Sequence, residues 1–114
     1  MPAVSVVMPV HNAKKTVEHS VQSILDSTLT DFELIIVDDG SADGTPTALR
    51  RFVDPRIRIV TQSHRGVAEA MNRGVAESSS LLIARMDADD FSYPTRLETQ
   101  LQLLQSGGTD IASC

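Results

Sequence analysis

Phe32-Glu33-Leu34-Ile35-Ile36-Val37-Asp38-Asp39-Gly40-Ser41 is the stretch that decides the fold. Phe32 to Val37 is too short for a helix, rich in Ile and Val, and almost continuously apolar. Such a run reads as a strand covered on both faces, and strands of that kind belong to parallel sheets. It breaks abruptly into Asp-Asp-Gly-Ser, where each residue type favours a turn.

The pattern continues on both sides. Val4 to Val10 is a β-branched run with Pro9 near its end, which suits the end of a strand. Thr16 to Ser27 carries Val17, Val21, Ile24 and Leu25 on one helical face. Thr45-Pro46 predicts an N-cap followed by proline at the first helical position, with Leu49, Phe52 and Val53 buried and Asp54-Pro55 as the stop. Ile57 to Thr61 alternates, and predicts a half-buried strand with Ile57, Ile59 and Thr61 on one face. Gly66 to Glu77 predicts a helix whose core face is Val67, Met71 and Val75. Leu81 to Met86 reads as another buried strand. Pro94 to Gln105 has Leu97, Leu101 and Leu104 in helical register, with Gly107 as the stop. Asp110 to Cys114 begins a further strand. Strand and helix alternate throughout, which predicts an α/β fold: a mostly parallel open sheet with helices on both faces, forming a single domain over residues 1–114.

Composition narrows the classes. With 41% hydrophobic and 22% charged residues the chain has the balance of an ordinary folded domain. The net charge of −5 and scattered Arg and Lys argue against a nucleic-acid partner. The one cysteine, Cys114, excludes an internal disulfide or a zinc cluster, and favours a reducing compartment. No apolar run approaches the ~20 residues of a membrane span, and the start lacks signal-peptide features. The expected location is cytoplasmic, or the inner face of a membrane for a longer protein.

In open parallel sheets, ligands bind beyond the carboxyl ends of the strands. Three such ends carry chemistry: Pro9-Val10-His11-Asn12, Asp38-Asp39-Gly40-Ser41 and Asp87-Ala88-Asp89-Asp90. Like charges gathered at one edge repel, and a divalent cation offsets that repulsion. On an extended segment Asp87 and Asp89 face the same way, with Ala88 between them leaving the backbone approachable. Each cluster alone is equally well read as turn chemistry; two at one edge favour a ligand. Rival motifs are missing. No Gly-x-Gly-x-x-Gly follows the first strand, and the chain has no phosphate-binding Gly-x-x-x-x-Gly-Lys and no Gly-x-Ser-x-Gly elbow. His11, His19 and His64 lack metal-ligand spacing. His19 reads as solvated, and His11 as either structural or a base or ribose contact.

The opening strand Val4–Asn12, the block Phe32–Thr45, the block Gly66–Gly74 and Asp87–Asp90 together resemble the family 2 glycosyltransferases of the GT-A fold. The resemblance covers essentially the whole chain. It implies the Rossmann-like nucleotide-binding half of that fold, truncated at the C-terminus. It further implies inverting transfer of a sugar from a nucleotide-diphosphate sugar, UDP-linked by the match of Asp39 to a contact with the uracil N–H, onto a saccharide or lipid-linked acceptor hydroxyl. By the same resemblance Pro9, Val10 and His11 lie along the nucleoside. Gly66 and Asn72 close the pocket, with Arg65 as a phosphate contact. Asp87 and Ala88 approach the ribose, and Asp87 and Asp89 hold Mg²⁺ or Mn²⁺. His11 stands where an aromatic residue is common, and Met71 where arginine is.

No residue from 90 to 114 matches the family's general base, so no catalytic residue is assigned and the chain alone is expected to be inactive. A truncated sheet edge predicts a homo-oligomer. The competing readings are a non-catalytic nucleotide-binding module and a phosphoacceptor receiver domain. The second needs an acidic pair after the first strand, where the chain has Pro9-Val10-His11.

Overall fold

The computed structural model describes residues 2–107 and 111–113. The deciding stretch forms strand β2 (Phe32–Asp39), which runs parallel to β1 (Val4–Val10) with Val6 opposite Leu34 and Val10 opposite Asp38. In chain order the other elements are α1 (Val17–Leu25), α2 (Thr45–Leu49), β3 (Ile57–Gln62), α3 (Val67–Glu77), β4 (Ile83–Arg85), α4 (Arg96–Gly107) and β5 (Ile111–Ser113). The sheet order is β3-β2-β1-β4-β5, and every pairing is parallel. This is the α/β architecture the alternation predicts. The last predicted strand is present at Ile111–Ser113, while Asp110 and Cys114 lie outside the described residues.

Strand parity divides the core. Val6, Met8, Val10, Leu34 and Ile36 pack with Val17, Val21, Ile24, Leu49 and Leu97 from α1, α2 and α4. Ile35 and Val37 point the other way and pack with Ala70 of α3. Both faces of β1 and β2 are therefore covered, which is why their sequences lack a polar face.

Several local expectations are corrected. The core face of α3 is not Val67, Met71 and Val75. Its buried residues are Ala70 and Gly74, and Val67 is 56% exposed. A Cβ on Gly74 would sit 2.2 Å from a Val7 methyl, so the helix approaches the sheet through its small residues. Hydrophobic periodicity follows large side chains and misses a face made by small ones. The cap of α2 is Gly44, with Thr45 already helical. Asp43 explains the shift: its Oδ1 accepts the Thr45 N–H at 2.9 Å, taking the capping role one residue earlier. That helix ends at Leu49, leaving Phe52 half-buried and Val53 fully in solvent. In β3, Ile57 packs on the core but Ile59 is exposed, because β3 is an edge strand. The strand expected over Leu81 to Met86 is shorter, with Leu81 exposed. Backbone bonds from Ser5 to Leu82 and from Met86 to Val7 extend the pairing beyond its ends.

Candidate functional site

The chain leaves β1 toward β2 and β3 on one side and later places β4 on the other. The carboxyl ends of β1 and β4 therefore flank the topological switch point, where open α/β sheets bind ligands. Asn12, just after β1, adopts a left-handed conformation (φ 50°), which asparagine tolerates. Its N–H donates to Ser41 Oγ at 3.0 Å and its Oδ1 accepts the Ala42 N–H at 2.8 Å. Ala13 donates to Thr45 Oγ1 and Lys14 to Asp43. These bonds fasten the end of β1 to the turn after β2. Asp38, still within β2, caps that turn, its Oδ1 accepting the Ser41 N–H at 3.1 Å. For Asp38 the turn reading is the right one.

Asp39 continues the parity of Ile35 and Val37 and points to the α3 side. It is 2% exposed. Its Oδ1 accepts from Gln62 Nε2 at 2.9 Å and from the Arg65 N–H at 2.8 Å. Its Oδ2 accepts from the Gly66 N–H at 2.9 Å and lies 3.0 Å from His64 Nδ1. Burial works to raise the carboxyl pKa, but the bonds from Gln62, Arg65 and Gly66, with His64 beside it, outweigh burial and hold it at about 2. An ionised carboxylate only accepts, so both oxygens are fully engaged and His64 Nδ1 carries a proton. The ring of His64 stacks on His11 with centroids 4.1 Å apart. His11 Nδ1 lies 2.8 Å from the Asp39 carbonyl oxygen, so it too carries a proton. A hollow of about 240 Å³ opens here, lined by Pro9, Val10, His11, Asp39, His64, Val67 and Ala70.

After β4 the chain turns sharply, with the Asp90 N–H donating to the Asp87 carbonyl at 3.1 Å. Ala88 is buried and its carbonyl accepts Ser20 Oγ at 2.7 Å. That anchor leaves Asp87 and Asp89 exposed, on a turn rather than on the extended segment expected. The Ala88 carbonyl is thus held by α1, while the residue itself lines a hollow at this edge. Carboxylate oxygens of Asp87, Asp89 and Asp90 lie within 4.8 Å of one another. Their neighbours are few: Arg85 pairs with Asp87 at 3.2 Å, and Asp90 Oδ2 accepts the Asp87 N–H. A set of hard oxygen donors with little else to bind fits Mg²⁺ or Mn²⁺. A second hollow, lined by Pro9, His11, Asn12, Ala13, Thr16, Ala88 and Asp89, adjoins the first through Pro9 and His11.

Of the residues singled out in sequence, Pro9, Val10, His11 and Asp39 line the first hollow, and Ala88 and Asp89 the second. Gly66 contributes its N–H to Asp39. Arg65 gives its backbone N–H to Asp39, but it and Asn72 also line a separate polar hollow with Thr61, Gln62, Ser63, Glu69 and Arg73. Sequence reasoning missed His64, Val67 and Ala70. His64 precedes a Gly-Val-Ala helix start, and that proximity to a helix N-terminus was the available signal. His19 is exposed as expected, with its ring 5.2 Å from Phe91.

The sheet order, the crevice at its switch point and the acidic turn beside it define a Rossmann-like GT-A domain. The sequence profile of Glycosyl transferase family 2 matches residues 5–114, and the chain belongs to that family. It is 35% identical over 102 residues to the Escherichia coli UDP-Glc:alpha-D-GlcNAc-diphosphoundecaprenol beta-1,3-glucosyltransferase WfgD, covering 89% of this chain and 40% of that protein. Among solved structures, S. aureus TarS 1-349 in complex with UDP-GlcNAc superposes with a TM-score of 0.84 at 20% identity, over 94% of this chain and 32% of that one. The likeness to TarS is one of fold. The mannosyltransferase PcManGT from Pyrobaculum calidifontis, in complex with GDP-Man and Mn2+, gives a TM-score of 0.78 at 28% identity, over 91% of this chain and 32% of that one. The chain spans less than half the length of the curated relatives it matches, for example 33% of E. coli YibD. No helix among the described residues is long and apolar enough to cross a membrane.

Proposed function

We propose that this chain is the donor-binding part of an inverting glycosyltransferase, and that it takes a nucleotide-diphosphate sugar together with Mg²⁺ or Mn²⁺. The base occupies the hollow at Asp39, against Pro9, Val10 and His11. The diphosphate lies toward Asp87 and Asp89, which hold the cation with Asp90 beside them. When bound, the cation supplies Lewis-acid stabilisation of the leaving diphosphate. The observation that carries the reading is the shared wall: Pro9 and His11 line both hollows, joining a base-sized corner to an acidic one. Relatives named for UDP-Glc and crystallised with UDP-GlcNAc or with GDP-Man and Mn2+ support the donor class. A uridine donor is favoured by Asp39, an acceptor suited to an imide N–H.

The acceptor, a saccharide or lipid-linked hydroxyl, and the general base belong to the rest of the catalytic unit. Glu98 is no substitute: it is exposed on α4 and accepts a bond from Thr28 Oγ1 at 2.9 Å. This chain alone therefore binds donor without turning it over, as a nucleotide-binding module would. Calorimetric titration of UDP, GDP, CDP and ADP, each with and without Mn²⁺, tests the proposal. We expect UDP to bind best and Mn²⁺ to tighten it by about tenfold or more. Asp89→Ala should abolish the Mn²⁺ effect; metal-dependent binding unchanged in that variant would refute the metal assignment. Acceptor-dependent turnover by the 114-residue chain would refute its inactivity.

A further inference from the structure

His64 presents a flat ring with one face on His11 and an N–H aimed at Asp39 Oδ2. Those are the two contacts a nucleobase with an imide N–H would make in the same hollow. We propose that His64 is a built-in occupant of the base site, a plug that an incoming base must displace. The inference rests on the nucleotide reading above and adds a step that regulates entry to that site.

Space supports displacement over insertion. The His11 and His64 centroids are 4.1 Å apart. A ring slotted between them would need roughly 7 Å, two aromatic contact distances. Hydrogen-bond capacity gives the same answer. Asp39 already accepts from four donors, so a base N–H reaches the carboxylate only after one donor leaves. Two of the four are backbone N–H groups of Arg65 and Gly66, fixed by the loop that leads into α3. A third comes from Gln62, the last residue of β3.

His64 is the donor free to go. Its side chain is 60% exposed, and among the described residues its ring bonds only to Asp39. Its backbone stays in place, since it packs so closely on Gly40 that a Cβ there would come within 2.7 Å of the His64 nitrogen. The ring can therefore swing out by rotation about its own side-chain bonds while the loop remains docked. The vacated space would join the apolar wall of Val67 and Ala70.

Titration of UDP with Mn²⁺ into the 114-residue chain and its His64→Ala variant tests this. A plug that fills the site most of the time lowers apparent affinity by the fraction of open molecules. Removing it should tighten UDP binding by about tenfold, with the variant's melting temperature close to the parent's. In the parent, ¹⁵N-histidine NMR should show the His64 Nδ1 proton signal lost as UDP saturates. Weaker or unchanged UDP binding by His64→Ala would overturn the plug, since His64 would then hold the base or stand clear of it. Failure of parent and variant alike to bind any nucleotide diphosphate would instead sink the nucleotide reading, and the plug with it.

Discussion

Asp39 ends β2 and Asp87–Asp90 follow β4, and the same residue type serves opposite purposes at these two strand ends. The Asp39 side chain is buried and its oxygens are filled by four donors from the chain itself. The Asp87 and Asp89 side chains are exposed, and beyond Arg85 they face mostly one another and Asp90. A buried carboxylate surrounded by N–H groups organises the protein around it. Exposed carboxylates held close together store repulsion that a cation relieves. One corner is thus satisfied from within, and the other is completed by something from outside.

The largest effect should come from Asp39→Ala. It removes the buried acceptor that four donors share, two of them backbone N–H groups of the loop into α3, and we expect a loss of about 2 to 4 kcal/mol in urea unfolding. A loss under about 0.5 kcal/mol would make Asp39 a ligand group only, and would erase the contrast between the corners. Asp89→Ala should behave inversely. Its unfolding free energy should stay within about 0.5 kcal/mol of the parent, while its Mn²⁺-dependent UDP binding disappears in calorimetry.

The pH dependence separates the two corners as well. Asp39 is held at about 2 in the fold, below its ordinary 3.8. A depressed carboxyl pKa gives stability that is fully present above the ordinary value and is lost as pH falls through the folded one. The parent should therefore lose stability from about pH 4 toward about pH 2 more steeply than Asp39→Asn does, as read by thermal unfolding across that window. Equal slopes would count against the bonding described for Asp39. The smallest effect belongs to Arg85→Ala. Its pair with Asp87 is exposed, so stability should change by less than about 0.5 kcal/mol. Release of Asp87 from its pair with Arg85 should strengthen Mn²⁺ binding modestly; weaker binding would mean that Arg85 positions Asp87.

Much of this was legible in the sequence, for physical reasons. β2 and β1 announce themselves because burial on both faces removes polar residues from the strand. The acidic ends announce themselves because a parallel sheet must bring its strand ends to one edge. What sequence could not separate was the fate of each carboxylate. The Asp38 side chain caps a turn, that of Asp39 lies beneath a loop, and Asp87 and Asp89 stand in solvent, although all four lie at or just beyond strand ends. That outcome depends on strand parity and on which distant N–H groups arrive, and Arg65 and Gly66 lie 26 and 27 residues away. The seat of α3 was hidden for a different reason. Ala70 and Gly74 make close contact by being small, and small residues leave no hydrophobic signature.

The division of labour between the two corners can be read most directly by NMR of the 114-residue chain with UDP, first with Mg²⁺ and then with Mn²⁺. Manganese broadens nearby amide signals, so it reports where the cation sits. The account predicts broadening centred on Asp87 to Asp90 and Asn12, with Arg65 and Gly66 shifted by UDP in either metal. Broadening centred instead on His11, Asp39 and His64, whose ligand atoms also lie within 4.8 Å of one another, would contradict it.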